Sequence, residues 1–308
     1  MFSRKTWLGA VFSCLVLSGA LCSTVWGATP GTHYNYGLEG VTAATAPPPG
    51  WHYRMYNFFY NPDTFNDNNG NAVPGVFELD VFASAQRIIH VTDIKILGAD
   101  FFYDFVIPFV DTDFSQNGFN DSHDFTLGDI EIEPFGLAWH KPRWDAVLAL
   151  AVILPTGHYE MMEPASPGLG YWSGRITLGA TYYFDEQKSW SASVLTRTLI
   201  NGEQEDTKVT PGSEFVAEYG IGKEFRPNNW MIRPGLTGAS YWQISDDSDD
   251  LLPNIVADDR KEAHAIGAEV NFFYLPMLFQ VNLRYLHDYS VENGPEDSRF
   301  IATLTKSF

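Results

Sequence analysis

Phe300-Ile-Ala-Thr-Leu-Thr-Lys-Ser-Phe308 is the stretch from which the rest of the chain is read. Phe300, Ala302, Leu304 and Phe308 fall on one side of a two-residue period. The stretch closes on an aromatic residue, as the last strand of a bacterial outer-membrane barrel does. Lys306 is the one residue that breaks the apolar side. An ending of this kind makes the barrel assembly machinery an expected partner through Phe308, with outer-membrane lipid and lipopolysaccharide as the surroundings.

At the other end, Arg4-Lys5 precede an apolar run from Trp7 to Leu21, and small residues lead up to Gly27. A basic start, a short apolar run and small residues before the cut predict a secretory signal peptide over residues 1–27. The run is shorter than the ~20 residues a spanning helix needs. Cys14 and Cys22 both lie inside it, so the exported chain carries no thiol and its fold does without disulfides. Losing Arg4 and Lys5 takes the 19 basic residues to 17 against 38 acidic ones, a net charge of about −21. So acidic a chain does not bind nucleic acid by counterion release.

No later stretch holds 18 consecutive apolar residues, which excludes a helical membrane protein. Alternation supplies the other way across a membrane. Phe77, Leu79, Val81, Ala83 and Ala85 interleave with Glu78, Asp80, Ser84 and Gln86. The pattern recurs around Asp100 and Asp104, around Glu131 and Glu133, and around Arg175. It returns around Glu214 and Glu218, Glu269, and Arg284. Only Ala146 to Leu154 is apolar on both faces.

The alternation predicts about 12 strands, at 51–60, 76–90, 95–110, 124–140, 143–155, 172–185, 189–201, 213–225, 229–244, 262–274, 277–289 and 298–308. Long connections at 61–75, 111–123, 156–171, 202–212, 245–261 and 290–297 alternate with tight ones at 90–94, 140–142, 185–188, 226–229 and 275–276. An even strand number, long loops on one side and both termini on the other give a closed antiparallel transmembrane β-barrel over residues 51–308. Residues 28–50, Gly- and Pro-rich and without a strand pattern, form an N-terminal segment that lies in the periplasm or plugs the lumen. Trp51, Tyr53, Trp139, Trp144, Trp172, Trp190, Trp230 and Trp242 stand at or near predicted strand ends, where amphipathic rings sit at headgroup level.

Ala46-Pro-Pro-Pro-Gly50-Trp51, Leu127-Gly-Asp129 with Glu133-Pro134, Leu154-Pro-Thr-Gly157-His-Tyr159, Gly179-Ala-Thr-Tyr-Tyr-Phe184 and Pro211-Gly-Ser-Glu-Phe215 occur in an order that resembles the meta-pathway of phenol degradation family of outer-membrane proteins. The resemblance runs from about Tyr36 to Phe308. It implies a transporter-like or channel-like barrel linked to catabolism of aromatic or other hydrophobic compounds. It carries no catalytic or binding residues over.

About 12 strands enclose a bore between the filled core of an eight-stranded barrel and the wide pore of a porin. Arg54, Glu78, Asp80, Asp100, Asp104, Asp129, Glu131, Glu133, Arg175, Arg197, Glu214, Glu218, Arg233, Glu269 and Arg284 are the candidates for lining it. Opposed charges there either orient a dipolar solute or pair off as a structural plug. The expected partner in the lumen is a small hydrophobic solute. A closed, non-transporting structural or adhesive surface barrel is the alternative.

No cofactor, metal or catalytic residue is expected. Asp246-Asp-Ser-Asp249-Asp250 lacks the glycine and distal glutamate of a calcium loop and reads as a solvated extracellular loop. The eight histidines include no two at metal-ligand spacing. Ser173, Ser240 or Ser298 beside His264 or His287 would suit a hydrolase, but nothing in the sequence places them together.

Overall fold

The computed structural model describes residues 31–249 and 260–308. The signal peptide predicted over residues 1–27 falls outside the described residues, as do Asp250 and most of the 245–261 connection.

Twelve antiparallel strands make one closed barrel. They are β1 Gly50–Tyr60, β2 Phe77–Ile96, β3 Ala99–Gln116, β4 in two pieces (Phe119–Leu127 and Ile130–His140), β5 Trp144–Leu154, β6 Ser173–Tyr183, β7 Trp190–Asn201, β8 Glu214–Lys223, β9 Trp230–Gln243, β10 Glu262–Tyr274, β11 Phe279–Glu292 and β12 Ser298–Ser307. Each strand pairs with its neighbours in sequence, and β12 closes on β1 from His52↔Ser307 to Tyr60↔Arg299. Closure leaves no ladder group facing lipid. Leu275–Met277 forms a single 3₁₀ turn between β10 and β11, and no described helix is long and apolar enough to cross a membrane.

The predicted connections at 111–123 and 90–94 are strand of the barrel wall instead. Residues 111–123 continue β3 and β4 as a hairpin that turns at Asn117-Gly118, both with positive φ (+50° and +89°). Asn-Gly is the residue pair such a two-residue turn favours. Residues 90–94 lie inside β2, which turns into β3 only at Leu97-Gly98, a second positive-φ pair. A Cβ built on Gly118 meets nothing within 4 Å, so substitution there costs conformation alone. Gly118→Val is expected to lower the urea midpoint by a margin worth about 1–2 kcal/mol, and an unchanged midpoint would refute the turn.

At the tight-turn end, Asp185 accepts bonds from the backbone and hydroxyl of Ser189 and the amide of Trp190. Those donors hold its carboxyl down to about 2.

Parity sorts the strands into two surfaces. Phe59, Ile88, Phe105, Leu150, Val152, Ile176, Leu178, Val194, Ile221, Leu236, Ile266 and Phe300 are exposed on the outer face, an apolar band suited to lipid. Trp51, Trp144, Trp190 and Trp230, with Phe184 and Phe225, are exposed near the tight turns, where a headgroup girdle belongs. This is the transmembrane barrel of a bacterial outer membrane. The doubly apolar stretch in β5 is explained by what it meets inside. Ala149 packs with Ile89, Val91, Phe102 and Ala138, and Ile153 with the cluster around Phe58, Leu199 and Val216.

Candidate functional site in the barrel interior

Inward-pointing side chains of the wall meet residues 31–49, which contain no strand. The segment enters at the long-loop end, where His33 contacts Asp129 at 3.0 Å and Ser173 at 2.7 Å. It leaves near the tight turns, where Thr45 meets the Tyr183 hydroxyl at 3.1 Å and Tyr183 donates to Asp145. Between these points its amides and rings reach the wall. Tyr34 donates to Glu218, the Glu39 amide donates to the same carboxylate, the Val41 amide donates to Glu269, and the Ala44 amide donates to Ser193. Arg284 donates to the carbonyl of Gly37, and Arg299 to that of Tyr36.

Glycines in the wall make room for it. A Cβ on Gly220, Gly222 or Gly235 would lie 2.7, 2.6 or 2.4 Å from an atom of Val41, closer than a real contact permits. The segment's own backbone bonds are short turns, Gly40 to Ala43 and Thr42 to Thr45. No residue of it joins the barrel ladder.

Charged wall residues are paired across strands. Arg87 of β2 donates to Asp104 at 2.6 Å and Glu133 at 3.1 Å. Arg175 of β6 bonds Glu131 and, at 3.0 Å, Glu133. Arg197 bonds Glu218, and Arg284 bonds Glu269 at 2.6 Å. Arg233 bonds Glu224, and Arg299 bonds Asp288 at 2.5 Å. Arg54 reaches Glu39 of the segment at 3.1 Å, and Tyr56 donates to the same oxygen at 2.6 Å. An ion in this confined space needs a partner because isolated burial is prohibitive.

Of the predicted lining residues, Arg54, Asp104, Asp129, Glu131, Glu133, Arg175, Arg197, Glu214, Glu218, Arg233, Glu269 and Arg284 converge on this interior. Asp129 also accepts from the amides of Gly157 and Leu169, and Glu214 bonds Thr32 and Asn201. Asp100 is buried and pairs with Lys95 at the β2–β3 turn. Glu78 and Asp80 are not brought in. They are exposed and share parity with Phe82 and Ile88, whereas Arg87 takes the inward parity of β2. The hairpin stands clear of lipid there, so a carboxylate on the outer face meets water and the alternation loses its meaning.

The sequence reading missed Arg87, Glu224, Asp288 and Arg299. Arg299 was legible, since it opposes the apolar parity of Phe300, Ala302 and Leu304.

Four serine–histidine contacts exist among the described residues: Ser173–His33 inside, and Ser307–His52 (2.8 Å), Ser240–His264 (2.9 Å) and Ser298–His287 (3.0 Å) as cross-strand pairs. His264 also meets Glu262 at 2.7 Å. Ser240 is buried on a strand paired on both sides, where the amides that would hold an oxyanion are committed to the sheet. Asp246 pairs with Arg260 at 2.6 Å, and Asp247 accepts from Gly212 and Gln243. These are ordinary loop contacts.

A family model described as Putative MetA-pathway of phenol degradation matches residues 62–304. Among solved structures, the chain is similar to the COG4313 outer membrane channel from Pseudomonas putida F1, with a TM-score of 0.73 and 17% identity over 87% of this chain and 98% of that one. It is also similar to the beta domain of the Bordetella autotransporter BrkA, with a TM-score of 0.52 and 11% identity over 85% of this chain and 100% of that one. At such identities the likeness is one of fold. No curated protein matches.

Proposed function

The chain belongs to the family described as Putative MetA-pathway of phenol degradation, and on that premise we propose that it is a non-enzymatic outer-membrane channel for small hydrophobic or aromatic compounds bound for catabolism. In this reading residues 31–49 plug the lumen and are displaced when solute passes. The observation that carries it is how the segment is held. Side-chain bonds and glycine clearances fix it, and no ladder does, so it can leave without breaking the barrel.

The wall it covers is amphipathic. Tyr56, Tyr60 and Tyr183 are buried beside Arg54, Arg299 and Lys188 and the carboxylates these meet, and Tyr171 and Tyr241 are buried as well. Ring surface beside a few placed polar groups suits a solute with an aromatic body and one polar substituent. Planar-bilayer recording tests the proposal. Phenol or toluene added to one side is expected to modulate the ion current of the reconstituted protein and to enter protein-loaded liposomes faster than empty ones. Equal entry into both would sink it.

The closed surface barrel is favoured by one observation, the ion pairs of Arg175, Arg197, Arg284 and Arg299 within the wall. It requires silence in the same recordings, with and without residues 31–49.

A further inference from the structure

We propose that His123, His158 and Glu163 form a Zn²⁺ site at the long-loop rim, on the extracellular side, that clips the connection between β5 and β6 to the β3–β4 hairpin. His123 lies in the first piece of β4, and His158 and Glu163 lie in that connection. The two Nε2 atoms each stand 3.1 Å from the same oxygen, Glu163 Oε2. The three ligand atoms lie within 4.8 Å of one another, and the imidazole centroids are 5.4 Å apart.

Ligands about 2.0–2.2 Å from a tetrahedral zinc sit roughly 3.3 Å from each other. The two nitrogen-to-oxygen edges therefore already have the length of a tetrahedron's edges, and a small turn of either ring closes the third. Two imidazoles with one carboxylate suit zinc, whereas calcium and magnesium take oxygen ligands throughout. Glu160 Oε1, 3.9 Å from His158 Nε2, or water supplies the fourth position.

The backbone around the ligands is fixed before any ion arrives. The Gly168 amide donates to the His158 carbonyl, the Glu163 amide to Glu160, and the Ser166 hydroxyl to the Glu163 carbonyl. The Ala165 amide donates to Asp121 of the hairpin at 2.8 Å. The side chains of His123, His158 and Glu163 are 24%, 48% and 33% exposed, so an ion can enter from the medium.

This site stands apart from the transport reading. Its test uses the full chain without a histidine tag, folded in detergent and titrated with ZnCl₂ by calorimetry. Expected are one Zn²⁺ per chain, protection of residues 155–172 from protease, and the visible bands of four-coordinate cobalt when CoCl₂ replaces zinc. His123→Ala and His158→Ala should each weaken binding at least about tenfold, and the double variant should abolish it. His287→Ala, on β11, should leave it unchanged. His158 and Glu163 lie outside the barrel ladder, and His123 pairs with Thr112 only in the hairpin at the rim, so heat-modifiable gel mobility should report a folded barrel in every variant. Sub-stoichiometric binding, or zinc binding that survives the double substitution in a folded barrel, overturns the site in favour of a plain hydrogen-bonded cluster.

Discussion

Arg299→Met is expected to lower the stability of the folded barrel by about 3–5 kcal/mol, the cost of leaving a buried carboxylate without its cation. Asp288 is fully buried. It takes 2.7 Å and 2.5 Å bonds from Arg299, while Tyr36 and Tyr60 add hydroxyls at 3.1 and 3.4 Å. Those hydroxyls cannot supply the lost charge. The guanidinium also lies 3.9 Å over the Tyr36 ring and 4.7 Å over that of Tyr60, so one side chain joins β11, β12, β1 and the N-terminal segment. Met fills most of the same volume and removes the charge and donors only. Arg299→Met/Asp288→Asn should recover most of the loss, because a neutral amide tolerates this setting. Urea unfolding in lipid vesicles measures both. A single variant within 1 kcal/mol of the native chain, or a double variant no better than the single, would show that the pair does not hold the seam.

The barrel was legible in the sequence because lipid imposes a rule on every second residue. Wherever a strand crosses the membrane, as at Phe300, Ala302 and Leu304 or at Ile176, Leu178 and Tyr182, the outward positions must be apolar. The rule lapses where strands extend beyond lipid. There the β3–β4 hairpin reads as loop until Asn117-Gly118 is taken as a turn, and Glu78 and Asp80 read as inward when they face water. The interior was legible in kind but not in pairing. Alternation marks Arg175 and Glu131 as inward, yet which cation meets which anion depends on registers and bulges, such as the one between Ile132 and Phe135. The rim cluster was illegible for the same reason, since His123 and His158 meet only because a hairpin and a loop fold together.

Deleting residues 31–49 is expected to raise the single-channel conductance of the reconstituted barrel at least about tenfold, since the bore of a 12-stranded barrel then fills with water. The wall should survive, because every barrel strand keeps both neighbours without the segment. Groups it had covered, among them Glu218, Glu269 and Arg54, exchange its bonds for water, which removes the penalty an apolar covering would impose. The opened path should prefer cations. Asp129, Glu214 and one of the three carboxylates (Asp104, Glu131, Glu133) that share Arg87 and Arg175 outnumber the freed Arg54, the others being matched by Arg197, Arg284, Arg299, Arg233 and Lys188, so negative charge prevails along the bore. Gly222→Leu in the full-length chain tests the same idea without a deletion. Its side chain takes the space of Val41 and should loosen the segment, giving brief openings of the deletion's size. Heat-modifiable mobility confirms a folded barrel in each case. If both variants fold and conduct no more than the native chain, the segment is not what closes the lumen, and the wall's own ion pairs are.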